Sequence, residues 1–94
     1  MVQNQNHLNN NLRKQRRLMG YKLREVARIL EIQTTSRISQ WEHGSSTPSL
    51  RNLIKLSIIY RTLIDQFYPE YREEIRKEVN QLISKCHRKD HSAQ

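Results

Sequence analysis

The chemistry most plainly available to this chain is that of its cations. Of 94 residues, 17 are Lys or Arg against nine Asp or Glu, a formal net charge of +8. The excess is uneven: residues 1–61 hold eleven Lys/Arg and three acids, whereas residues 62–94 hold six of each. That clustering suits a surface for a polyanion, joined to a neutral segment with another task. Composition alone does not choose between this and a basic domain with no nucleic-acid role. Other chemistry is poorly supplied. Cys86, His87 and His91 form one cluster of metal-ligand types, but three candidates near a terminus, with no second cysteine pair, make a poor zinc site. No glycine-rich phosphate loop, pair of catalytic carboxylates or nucleophile beside a base can be assembled. No enzyme activity, metal or cofactor is therefore expected.

The elements that carry those cations must come from a small core. A chain this short is one domain burying roughly 60–65% of its unfolded surface. No apolar run approaches the ~18 residues of a membrane span. Met1–Asn11 is polar apart from Met1, Val2 and Leu8 and has no signal-peptide pattern. One cysteine makes no internal disulfide, so a cytoplasmic protein is expected.

Glycine occurs only at positions 20 and 44 and proline only at 48 and 69, and these four residues punctuate the chain. No strand alternation is present, so the fold class is all-α. Residues 1–9, rich in Asn and Gln and free of Lys and Arg, read as a flexible polar arm. A first helix is expected from about Asn10 to Met19, with Asn as cap and Gly20 past its end. A second runs from Lys22 to Leu30, where Leu23, Val26, Ala27 and Leu30 mark one buried face. A turn at residues 32–35 supplies threonine caps for a third helix, Ser36 to His43, with Ile38 and Trp41 facing inward. Thr47-Pro48 offers cap and first-turn proline for a fourth helix. Thr62 to Tyr68 is a short fifth, and Pro69 opens a last helix to about Cys86 or His87. Residues 10–68 then form the packing unit, 69–87 an additional helix, and 88–94 a disordered tail. The tight connection between the second and third helices leaves Thr35, Ser36, Arg37, Ser39 and Gln40 pointing away from the core.

An ordered set of residues now stands out. It runs Leu12-Arg13-x-x-Arg16-x-x-x-Gly20, Val26-Ala27-x-x-Leu30-x-Ile32, Ser36-Arg37-Ile38-Ser39-Gln40-Trp41-Glu42-x-Gly44, Pro48-Ser49 and Leu53-x-x-Leu56. Over about residues 12–67 the chain resembles the lambda-repressor-like, Cro/repressor-type helix-turn-helix domains, the XRE family of bacterial and phage regulators. The resemblance implies a five-helix DNA-binding domain, here with an additional C-terminal helix, acting as a transcriptional regulator on double-stranded DNA.

By that resemblance the third helix is the recognition helix of the major groove, and Thr35, Ser36, Arg37 and Gln40 stand where such proteins reach bases. Their chemistry agrees: Arg37 suits a bidentate pair with guanine and Gln40 one with adenine, while the hydroxyls are less selective. Phosphate contacts are expected from Lys22, Arg24, Ser39, His43, Ser45 and Arg51, with Arg13, Arg17 and Arg28 adding field. Arg16 and Glu42 occupy positions that in this family brace the first helix against the third as an ion pair. Two departures stand out. Lys22 and Leu23 replace the usual polar starter and glutamine, so Lys22 or Arg24 must substitute at that phosphate. The turn before Ser36 carries about one extra residue, with Glu31 in place of glycine, so the recognition helix should begin earlier or sit slightly rotated.

In the last helix Tyr71, Ile75, Val79, Leu82 and Cys86 recur at steps of four, four, three and four. This is one narrow apolar seam. It either packs back on the fourth and fifth helices or joins two copies, and a homodimer on palindromic DNA is the expected assembly. One alternative is the antitoxin half of a toxin–antitoxin pair, binding its protein partner through this helix. Another is an interaction adaptor that has lost DNA binding, favoured by the altered start of the second helix and opposed by the retained charge.

Overall fold

In a computed structural model, which describes residues 8–93 and side chains as far as His87, the chain is helical with no strand among the described residues. The elements are α1 (Leu12–Leu18), α2 (Leu23–Leu30), α3 (Ser36–His43), α4 (Leu50–Tyr60), a 3-10 turn (Ile64–Phe67) and α5 (Pro69–Ala93). Met1 to His7 and Gln94 lie outside the described residues, so most of the expected arm does too.

Each helix end has a local cause. The Leu12 amide donates to Asn10 Oδ1 at 3.0 Å, capping α1. Gly20 then takes a left-handed φ of 82° and the Tyr21 amide returns to the Arg16 carbonyl, ending it. At the start of α2 the Lys22 amide donates to Glu25 Oε1 at 2.7 Å, half of a capping box. Glu31 ends α2 with φ 61°, the conformation that favours glycine, while the Ile32 amide reaches the Ala27 carbonyl. The Ser36 amide donates to Thr34 Oγ1, so α3 begins at Ser36 even with the longer turn.

The bounds of three elements differ from expectation. The cap of α4 is Ser49, whose Oγ accepts from the Asn52 amide at 3.2 Å; Pro48 precedes it rather than opening the helix. The fifth helix shrinks to the 3-10 turn, because Arg61 closes α4 in the left-handed region and Tyr68 precedes a proline, which disfavours α backbone. Meanwhile α5 runs to Ala93, through most of the stretch expected as a disordered tail; nothing between Pro69 and Ala93 is glycine or proline to stop it.

The core is built from α1 to α4 and the 3-10 turn: Leu12 from α1, Val26, Ala27 and Leu30 from α2, Ile38 and Trp41 from α3, Leu56 and Tyr60 from α4, then Phe67 and the adjoining Tyr68. Each of α1 to α4 is too short to be stable alone, so pooling these faces is what makes them fold. Tyr60 stands edge-on to Phe67, ring centroids 6.1 Å apart. Residues 8–11 tie the two ends of the domain together. The Leu8 amide donates to the Gly44 carbonyl at 2.9 Å, Asn10 Nδ2 to the Trp41 carbonyl, and the Asn11 amide to the Phe67 carbonyl. Leu8 and Asn9 are thus docked, not part of a loose arm.

Candidate nucleic-acid interface

The site begins with how α3 is held. Ile38 and Trp41, three residues apart, bury one face against the core. The opposite face is left outward: Ser36, Arg37 and Gln40 are exposed, Thr35 and Ser39 half-buried. Orientation about the axis is fixed from α1. Arg16 Nε donates to Glu42 Oε2 at 2.6 Å and a terminal nitrogen to Glu42 Oε1 at 3.2 Å, a two-pronged pair between nearly buried side chains. The other terminal nitrogen donates to the Tyr21 carbonyl at 2.9 Å. That bond to Glu42 raises the Arg16 guanidinium above its ordinary value, against the opposing pull of burial.

On the outward face the residues differ in their readiness. Gln40 has its side chain in solvent, while its carbonyl accepts the Ser45 amide at 3.0 Å and the Ser45 hydroxyl at 3.2 Å. The Ser45 hydroxyl therefore serves first to close the end of α3. Arg37 lies over the ring of Trp41, its guanidinium carbon 5.8 Å from the centroid. In this position it is held by a cation–π contact and must swing outward to reach a base. His43 Nδ1 sits 2.8 Å from the Ser39 carbonyl, which points the ring along the last turn of the helix.

Beside this face lies a polar hollow of 250 Å³, lined by Arg13, Arg16, Leu23, Ser39, Glu42 and His43. It brings together two expected phosphate contacts, Ser39 and His43, with Arg13, which sequence reasoning gives only a share in the general field. The missed signal is spacing: Arg13 lies three residues before Arg16, on the side of α1 that meets α3. Lys22, Arg24 and Arg51 are exposed outside this hollow, at the starts of α2 and α4. Their position lets their charge act together with the free amides of two helix N-termini. The interface is thus a cationic surface around a polar helix face, with the helix itself rigidly set.

The expected seam residues lie elsewhere. Tyr71, Ile75, Val79 and Leu82 are all exposed along α5. Cys86 and His87 are exposed near its end, and the side chain of His91 lies outside those described. Among the described residues, no helix is long and apolar enough to cross a membrane.

Comparison with known proteins agrees with this geometry. Residues 12–67, more than half of the chain, match the family model described as Helix-turn-helix. No curated protein and no solved structure matches the chain.

Proposed function

The chain belongs to the lambda-repressor-like, Cro/repressor-type helix-turn-helix family of DNA-binding regulators, and we propose that it reads specific double-stranded sites through the major groove with α3. The observation that carries this reading is the division of α3 itself. One face is locked to the core by Ile38, Trp41 and the Arg16–Glu42 pair, and the other offers Ser36, Arg37 and Gln40 to solvent. A rigid helix with a polar outward face and cationic flanks satisfies both needs of sequence recognition. Phosphate contacts fix register, and a few side chains then test base edges.

In this account Gln40 pairs with an adenine edge and Arg37, once it leaves Trp41, with guanine. Thr35 and Ser36 add less selective contacts. The hollow between Arg13, Ser39 and His43 seats one phosphate, Lys22 or Arg24 a second, and Arg51 a third; the Ser45 hydroxyl approaches the backbone beyond α3. None of these contacts needs a cofactor. The protein acts as a homodimer on a palindromic site, in the cytoplasm at the nucleoid. Selection of the full chain against a random DNA library tests this directly. Recovered sites should be palindromes with half-sites about one helical turn apart. Recovery of no common sequence would refute it.

A further inference from the structure

We propose that α5 pairs antiparallel with α5 of a second copy, about a two-fold axis between Asn80 and Gln81. This rests on the homodimer reading above and specifies its surface.

The first observation is that α5 is anchored only at its beginning. Glu70 accepts from Asn9 Nδ2 at 2.9 Å and Arg72 is paired with Asp65 at 2.7 Å. From Glu74 to His87, by contrast, every side chain is exposed. A helix of 25 residues is about 37 Å long, and most of this one stands off the domain. The radius of gyration is 17.4 Å, against about 12 Å for a compact chain of this length. The seam therefore does not fold back on α4, and nothing among the described residues stabilises the outer turns of α5 by packing.

The second observation is the symmetry of what is left exposed. Ile75, Val79, Leu82 and Cys86 are spaced four, three and four residues apart, a pattern that reads the same in both directions. Reversing a second copy brings Val79 opposite the partner's Leu82 and Ile75 opposite the partner's Cys86, each contact made twice. Ile75, Val79 and Leu82 are 40%, 43% and 62% exposed in the single chain, so each has surface to lose. The flanking charges follow the same rule. Glu78 and Lys85, seven residues apart on one side of the strip, exchange partners: Glu78 lies beside the partner's Lys85 and Lys85 beside the partner's Glu78.

The third is continuity with the domain. The strip leads into a largely apolar groove of 420 Å³ between the 3-10 turn and α5, walled by Ile64, Tyr68, Tyr71, Ile75 and Val79, with the Asp65–Arg72 pair and Arg76 also lining it. In the antiparallel pair the partner's Leu82 and the partner's Cys86 lie at the mouth of this groove, opposite Val79 and Ile75.

Orientation can be read with the native cysteine. In the antiparallel pair the two Cys86 residues are about 16 Å apart along the axis, beyond the reach of a disulfide. Ile75→Cys, however, places a thiol opposite the partner's Cys86. Full-length wild-type and Ile75→Cys chains are compared by copper-catalysed air oxidation, with the linkage mapped by mass spectrometry, and by sedimentation equilibrium. We expect both chains to sediment as dimers before oxidation. Only Ile75→Cys should become covalently dimeric, through positions 75 and 86. Val79→Glu, at an exposed position, should keep the helical circular-dichroism signal and weaken self-association at least tenfold. Its affinity for an isolated half-site should be unchanged. A dimer cross-linked between two Cys86 residues, or one indifferent to Val79→Glu, overturns the antiparallel pairing and leaves the homodimer reading standing. A wild-type chain that stays monomeric overturns both.

Discussion

The guanidinium of Arg16 grips both carboxylate oxygens of Glu42 across the junction of α1 and α3, with the two side chains 9% and 6% exposed. This pair sets how α3 is presented: with the Asn10 bond to the Trp41 carbonyl it adds direction to contacts that are otherwise apolar. Its energetic role is asymmetric. Two buried charges that satisfy each other stabilise little relative to two apolar groups, but either one left alone is costly.

Arg16→Met should therefore destabilise the domain by about 3–5 kcal/mol, leaving Glu42 buried and unpaired. At roughly 4–8 °C per kcal/mol this is a large fall in melting temperature. The double substitution Arg16→Met/Glu42→Leu should recover most of the loss. Thermal denaturation of the three proteins checks it; an additive double variant would show that the pair is not coupled.

The two glycines should respond differently to alanine. Both have left-handed backbone, but a Cβ at Gly20 meets open space, whereas at Gly44 it falls 2.3 Å from the Leu8 carbonyl oxygen. Gly20→Ala should cost about 1 kcal/mol. Gly44→Ala should cost roughly 2–3 kcal/mol, since it also displaces residue 8 and its hydrogen bond. Chemical denaturation measures both.

Two buried phenols should weaken the fold at alkaline pH. Burial pushes Tyr68 up to about 12, and burial together with the Glu42 charge pushes Tyr60 higher still. Above pH 10 the unfolded chain releases protons that the folded chain retains, so stability present below pH 10 is lost as pH rises toward 12. The Tyr68 hydroxyl is buried without a hydrogen bond. Tyr68→Phe should therefore stabilise the protein by about 1 kcal/mol at neutral pH and flatten the alkaline decline. Urea titrations at pH 7, 10 and 11 give both quantities.

Much of this was legible in the sequence because it is local. The Val26, Ala27 and Leu30 face, the Ile38–Trp41 pair and the flanking Gly20 and Gly44 place α2 and α3 to within a residue. What escaped is non-local or competitive. The docking of Leu8 on Gly44 joins positions far apart and leaves no periodic trace. The threonine at 47 and the serine at 49 both carry a hydroxyl that suits a cap before α4, and it is Ser49 that accepts the Asn52 amide. In α4, Leu50, Ile54 and Ile58 are exposed while Leu56 and Tyr60 are buried, although all five look equally apolar. Within the interface, the polar face of α3 is written in its spacing, but the resting place of Arg37 on Trp41 depends on a rotamer, and the part of Arg13 depends on how α1 crosses α3.

Binding should be strongly salt-dependent. With about six phosphate contacts, log K falls with log[salt] at a slope of roughly −5. Arg51→Ala or Arg13→Ala removes one contact from each protomer, so each should reduce that slope by about 2 and weaken cognate and random DNA alike. Fluorescence anisotropy across a salt series separates these two from residues that leave the slope unchanged.

Whether α3 chooses the site is read at Gln40. Its side chain is exposed and takes part in none of the core or the Arg16–Glu42 brace. Affinities of the wild type and Gln40→Ala are compared on the selected palindrome and on random duplex at one salt concentration. A loss of roughly 1–3 kcal/mol per half-site of the palindrome and nearly none on random DNA is expected. An equal loss on both, or no loss on either, would contradict site choice by α3.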